Sequence, residues 1–163
     1  MESLYQQFRL RAEAVSTEVY RLGSRAKAES FAREMMRQEG GTAVWAGSAE
    51  PALLVTKERA AAAKVGVTEA DLAIADTGSL LMDASLAERR LASTLPEVHI
   101  ALTPFSGLRE TLGEALAGID PRRARYLAAV TGPSRTADIE RVLTIGVHGP
   151  VRLIVAFYEE KAA

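Results

Sequence analysis

Three glycine-bearing segments hold the residues best suited to chemistry. In Asp76-Thr77-Gly78-Ser79, Gly78 can take a positive φ, and the Thr77 and Ser79 hydroxyls with nearby backbone N–H groups can hold a carboxylate or phosphate. The same residues also suit an ordinary turn between strands. In Thr131-Gly132-Pro133-Ser134-Arg135-Thr136-Ala137-Asp138-Ile139-Glu140, a tight turn meets two capping hydroxyls, Ser134 and Thr136, and a permanently charged guanidinium. The planar fork of Arg135 matches a carboxylate, so it is the expected anion anchor; an ion pair with Asp138 or Glu140 is its structural alternative. Gly146-Val147-His148-Gly149-Pro150 carries one of two histidines, and His148 can donate to a ligand or exchange a proton near neutral pH. His99 lies within the apolar run Val98 to Leu102, where a packed imidazole with one satisfied hydrogen bond is expected.

Several reaction classes have no residues to carry them. The chain contains no cysteine, which removes disulfides, thiolate nucleophiles and any iron–sulfur cluster held by this chain alone. The Walker A, dinucleotide-binding glycine, His-Glu-x-x-His and Gly-x-Ser-x-Gly patterns are missing, and no side chains at ligand spacing predict a metal. Twenty Lys and Arg against 21 Asp and Glu leave no field that would draw the chain onto nucleic acid. The N-terminus has no basic start followed by an apolar run, and no segment nears the roughly 18 apolar residues of a membrane span. A cytoplasmic location is expected.

Positioning these segments requires a sheet. With 163 residues, 48% hydrophobic, the chain suits one domain. Leu4, Phe8, Ala12, Val15, Val19 and Leu22 recur at helical steps and predict a helix ending near Gly23. A second helix is expected from a Ser24 cap to Gly40-Gly41. Strands are read at Thr42 to Trp45, Ala52 to Thr56, Leu72 to Ala75, Leu80 to Met82, Val98 to Leu102 and Val151 to Phe157. Helices are read at the alanine-rich stretch Glu58 to Lys64, along Leu108, Leu112 and Leu116, after the Asp120-Pro121 cap, and over Ala137 to Ile145. Apolar strands separated by helices predict an α/β fold with a largely parallel sheet covered on both faces. N-terminal helices over residues 1–41 are expected to pack on an α/β domain over residues 42–163. In such sheets ligands usually lie beyond the carboxyl ends of the strands.

Four blocks together carry a family resemblance: Ala75-Asp76-Thr77-Gly78-Ser79, Leu95-Pro96-Glu97-Val98-His99, Thr131 through Glu140, and Gly146-Val147-His148-Gly149-Pro150. From about Leu53 to Phe157 the chain resembles the LUD (lactate-utilisation) family, in particular its LutC-like members. That resemblance implies an α/β sandwich of the NagB/RpiA/CoA-transferase-like type. It also implies work beside LutA-like and LutB-like iron–sulfur proteins that oxidise L-lactate to pyruvate. Iron–sulfur clusters are then expected on the partner subunits, with a small carboxylate as ligand and no cofactor bound by this chain alone. Candidate ligand-binding residues are Thr77, Gly78, Ser79, Gly132, Ser134, Arg135, Thr136, His148 and Gly149; the family pattern designates no catalytic residue. The chain departs from it in carrying Asp76 where many relatives have glutamate, and in being shorter than many members. An enzyme of the same fold acting alone on a phosphorylated or thioester ligand is the competing reading. A third reading is a binding module whose N-terminal helices pair with another chain, as in a homo-oligomer.

Overall fold

The computed structural model describes residues 1–47, 55–120, 122, 124–137, 143–145 and 149–160. Helix α1 (Glu2–Ala14) is followed by strand β1 (Thr17–Leu22), helix α2 (Arg25–Glu39), strand β2 (Ala43–Ala46) and helix α3 (Lys57–Ala62). Strands β3 (Val65–Glu69), β4 (Leu72–Ile74) and β5 (Ser79–Asp83) precede helix α4 (Ala87–Thr94) and strand β6 (Val98–Pro104). A 3-10 turn then leads to β7 (Leu108–Arg109), α5 (Leu112–Ala117), β8 (Leu127–Val130), β9 (Arg135–Ala137), β10 (Leu143–Ile145) and β11 (Arg152–Tyr158).

Five strands form an all-parallel central sheet in the order β1-β11-β6-β3-β2. A second sheet, β7-β4-β5-β8, contains the antiparallel β4–β5 hairpin, and β9 pairs antiparallel with β10. The α/β class, the mostly parallel sheet and helices on both of its faces are therefore present. Alternation along β6 and β11 splits the core into two layers. Val98, Ile100, Leu102, Ile154 and Ala156 meet Ala28, Ala32 and Met35 of α2. Ala101, Leu153, Val155 and Phe157 point the other way, toward Tyr5, Phe8 and Ala12 of α1 and Ala73 and Leu80 of the second sheet. Each large side chain buried this way contributes about 1.5–3 kcal/mol, which is why β6 and β11 read as continuous apolar runs.

The first predicted helix is half strand. Ser16 adopts φ 68°, a left-handed conformation that ends α1, and Thr17 to Leu22 then pair residue by residue with Leu153 to Tyr158. Helical spacing of Val15, Val19 and Leu22 loses to two stronger facts. Thr17, Val19 and Tyr20 favour strands, and β11 needs a partner on its outer edge. Arg152 reinforces this pairing by donating to Glu18 of β1, with Nη2 to Oε2 at 2.9 Å, and by bonding Glu39 of α2. The guanidinium holds the Glu18 carboxyl below its usual range.

Other differences follow the same logic. The stretch Val65 to Glu69, left unread by local pattern, is an interior strand between β2 and β6. Leu108 belongs to β7 beside Ala73, while Leu112 and Leu116 sit exposed on the short α5. Asp120 caps a turn rather than a helix: its Oδ1 accepts from Arg122 N at 2.9 Å, and the chain soon enters β8. Ala137 and Leu143 to Ile145 are strand residues instead of helix ends. The strand read at Ala52 to Thr56 lies mostly outside the described residues, as do Asp138 and Glu140. The Ser24 cap is present, accepting from Lys27 N at 3.3 Å, with Gly40 ending α2 at φ 68°. Among the described residues no helix is long and apolar enough to cross a membrane.

Candidate functional site

A cavity of about 590 Å³ lies on the face of the central sheet between α4 and the edge strand β8. Its position differs from the carboxyl-end location expected of open parallel sheets. The floor is made by His99 and Leu153, each the second residue of its strand, so the cavity stands over the amino-terminal halves of β6 and β11. The carboxyl-terminal part of this face is already filled, because Tyr5 and Phe8 of α1 pack edge-on against Phe157 at 5.5 and 5.1 Å.

One wall is the last turns of α4, contributing Arg90, Ser93 and Thr94. The opposite wall is the continuous stretch from Tyr126 to Gly132. Strand β8 pairs with β5 through Leu80↔Val130 to Asp83↔Leu127, and among the described residues its other edge carries no strand. Such an edge offers unpaired backbone donors and acceptors.

The rim joins two of the three segments singled out above. Ser134 N donates to Pro150 O at 2.8 Å, and Gly132, Ser134, Gly149 and Pro150 all line the cavity. The third segment reaches this region only through Ser79, whose Oγ lies 2.7 Å from Thr131 Oγ1. Thr77 is exposed, and Gly78, at φ 66°, is pressed against α1, where an added Cβ would stand 2.4 Å from Ala12 N. The Asp76 to Ser79 turn is thus chiefly a packing device.

Gly132 has a requirement of its own. It adopts φ 72°, and an added Cβ would lie 2.9 Å from Val15 O. Gly132→Ala is expected to cost about 1–3 kcal/mol in urea unfolding, through backbone strain and displacement of the rim. A change below about 0.5 kcal/mol would show that the loop has room to adjust.

Arg135 does not line the cavity. It is exposed on β9, and its Nη2 donates toward Ser16 Oγ at 3.3 Å. The cation in the cavity wall is Arg90, which local reading passed over together with the helix that carries it, α4. Its Nη1 donates to Ala84 O and to Ser85 O at 3.2 Å, and its guanidinium lies 5.3 Å from the Tyr126 ring. Those contacts fix the side chain and leave Nε and Nη2 with no partner among the described residues. Among the described lining residues Arg90 is the one that carries a formal charge, and none is a carboxylate. Thr136 lies on β9 within the pair with β10, and His148 falls outside the described residues.

His99 is 1% exposed, with Nε2 2.8 Å from Thr68 Oγ1. Burial penalises the charged imidazolium and pulls its pKa down to about 4, so the ring is neutral across the physiological range. Among the described residues no group of three or more His, Asp or Glu side chains is arranged to hold a metal ion.

Fold and site together define an α/β domain with a loop-rimmed cavity on one face of a parallel sheet. The LUD domain model matches residues 48–158, and the chain belongs to that family. It is similar to lactate utilization protein C of Bacillus licheniformis, 35% identical over 110 residues that cover 64% of this chain and 46% of that protein. The protein of the same name from Exiguobacterium sp. is 36% identical over 67% of this chain and 49% of its own length, and that of Bacillus subtilis 34% over 69% and 49%. The chain thus spans about half the length of the curated relatives it matches. A crystal structure of a DUF162 family protein from Deinococcus radiodurans shares the fold, with TM-score 0.72 at 23% identity over 96% of this chain and 97% of that one.

Proposed function

We propose that this chain serves lactate utilisation by binding a small carboxylate in the cavity between α4 and β8, with Arg90 supplying the attraction for the anion. One observation carries the reading: Thr131, Gly132, Ser134 and Gly149, drawn from two distant segments, rim one cavity whose wall holds a cation with open donors. Hydroxyls, a backbone edge and a guanidinium with no carboxylate among the described lining residues favour an anion over a cation or a purely apolar ligand. The LutC-like relatives supply the pathway. Because these 163 residues contain no cysteine, thiolate-held iron–sulfur clusters would belong to LutA-like and LutB-like partners.

Calorimetric titration with L-lactate tests this on wild type, Arg90→Ala and Arg135→Ala. Loss of a charge-assisted contact at Arg90 is expected to raise the Kd roughly 10- to 100-fold, whereas Arg135→Ala should leave it within about twofold. Equal Kd values for wild type and Arg90→Ala would remove the anchor, and no binding of any small carboxylate to wild type would remove the reading.

The volume supports a second reading. Six non-hydrogen atoms of lactate, each at no more than a water's share of about 30 Å³, fill under about 180 Å³. The cavity, at about 590 Å³, also has room for a phosphorylated or thioester ligand. Sugar phosphates and acyl-CoAs in the same titration decide between the two.

A further inference from the structure

We propose that His99 is the residue that recognises the neutral oxygen of the ligand, so that the cavity selects a hydroxy acid over the simple carboxylate of the same size. This rests on the cavity being a carboxylate site and adds which part of the ligand the floor reads.

The imidazole is placed by three constraints. Strand β6 is central, and in register His99 stands between Gly66 of β3 and Leu153 of β11, so its backbone has no freedom to move away from the cavity. Its Nε2 is committed to Thr68 Oγ1 at 2.8 Å, on the neighbouring strand. The ring is 1% exposed yet lines the cavity, and among the described residues the bond to Thr68 is the side-chain hydrogen bond it makes, which leaves Nδ1 for a ligand.

A ring nitrogen without a protein partner at a cavity takes its hydrogen bond from a water or a ligand. Whichever way the Thr68 contact is polarised, the other nitrogen of a neutral imidazole takes the opposite role: donor if Nε2 accepts, acceptor if Nε2 donates. Either role suits a hydroxyl, which both donates and accepts. Neither provides the full charge a carboxylate favours, and Arg90 on the wall provides that instead. The division of labour is a charge at the wall and a dipole at the floor. The remaining floor residue, Leu153, is apolar and competes for no polar group. Thr68→Val would release the ring from its fixed orientation without touching the cavity, which makes Thr68 the positioning residue.

The test compares L-lactate with propionate, which lacks only the hydroxyl, in wild type, His99→Leu and His99→Gln. Wild type should prefer L-lactate by at least about tenfold, because a site built around a hydroxyl leaves its own polar atom unpaired with the analogue. His99→Leu should bring the two ligands to within about twofold while propionate affinity is retained, and His99→Gln should restore part of the preference. Propionate binding as well as L-lactate in wild type, or undiminished preference in His99→Leu, overturns the role of His99 but leaves the carboxylate site standing. Failure of both ligands to bind overturns both. Should His99→Leu not fold, ¹⁵N imidazole shifts of the wild-type protein decide: Nδ1 should move on addition of L-lactate and stay in place with propionate, and equal movement with both refutes the inference.

Discussion

Gly66→Ala is expected to lower stability by about 3 kcal/mol or more and to abolish ligand binding at the cavity. An added Cβ would stand 1.9 Å from Ala92 O, 2.9 Å from Ala92 C and 2.8 Å from Pro96 Cγ. The obstacle is mostly helix backbone, which has no rotamer to retreat into. Gly66 itself is pinned by Val44 on one side and His99 on the other, in the interior of the sheet. Helix α4 would have to lift away from β3, carrying with it the Arg90, Ser93 and Thr94 wall. Urea unfolding measures the stability and L-lactate titration the site. A stability change under about 1 kcal/mol would mean that α4 tolerates displacement and that the wall is not set by this contact.

Acid should weaken the fold in a window that belongs to His99. Its folded pKa of about 4 lies below the unfolded value of 6.5, so between those limits the unfolded chain binds a proton that the folded protein does not. Stability is therefore fully present above about pH 6.5 and declines as pH falls toward 4, by about 3 kcal/mol in total for this group. Carboxylates such as Glu18 and Asp83, whose pKa values are lowered by Arg152 and by Ser85, act in the same direction but below their own unfolded values near 4.5 and 3.8. The two contributions are thus separable. Denaturation midpoints measured from pH 7.5 to 4.5 should slope for wild type and flatten for His99→Gln. A wild-type profile with no slope across that range would show that the imidazole is not buried in its neutral form.

How much of this was legible in the residues depends on whether the signal was local. Helix α2 was readable because its serine cap, apolar spacing and terminal glycines lie within the helix itself. The β4–β5 hairpin, β6 and β11 were readable for the same reason. Strand β3 was missed since Val65-Gly66-Val67-Thr68-Glu69 is short and glycine-interrupted, and only its place between β2 and β6 makes it a strand. Gly132, Ser134 and Gly149, singled out from turn chemistry, line the cavity, whereas Arg135, singled out with them, lies outside it and Arg90 lies in its wall. Arg135 and Arg90 are equal as guanidinium groups; which one enters the cavity is decided by where β9 and α4 pack.

The sequence by itself determined an α/β protein with parallel apolar strands, the lack of any thiolate in these residues and the glycine-bearing segments that rim the cavity, because composition, periodicity and turn stereochemistry act over a few bonds. Tertiary structure alone decided that Thr17 to Leu22 completes the sheet, that the cavity lies over the amino-terminal halves of the strands, and that Arg90 and His99 face it. Those outcomes depend on contacts between residues tens of positions apart, where burial of a shared face outweighs the weak preferences of any single segment.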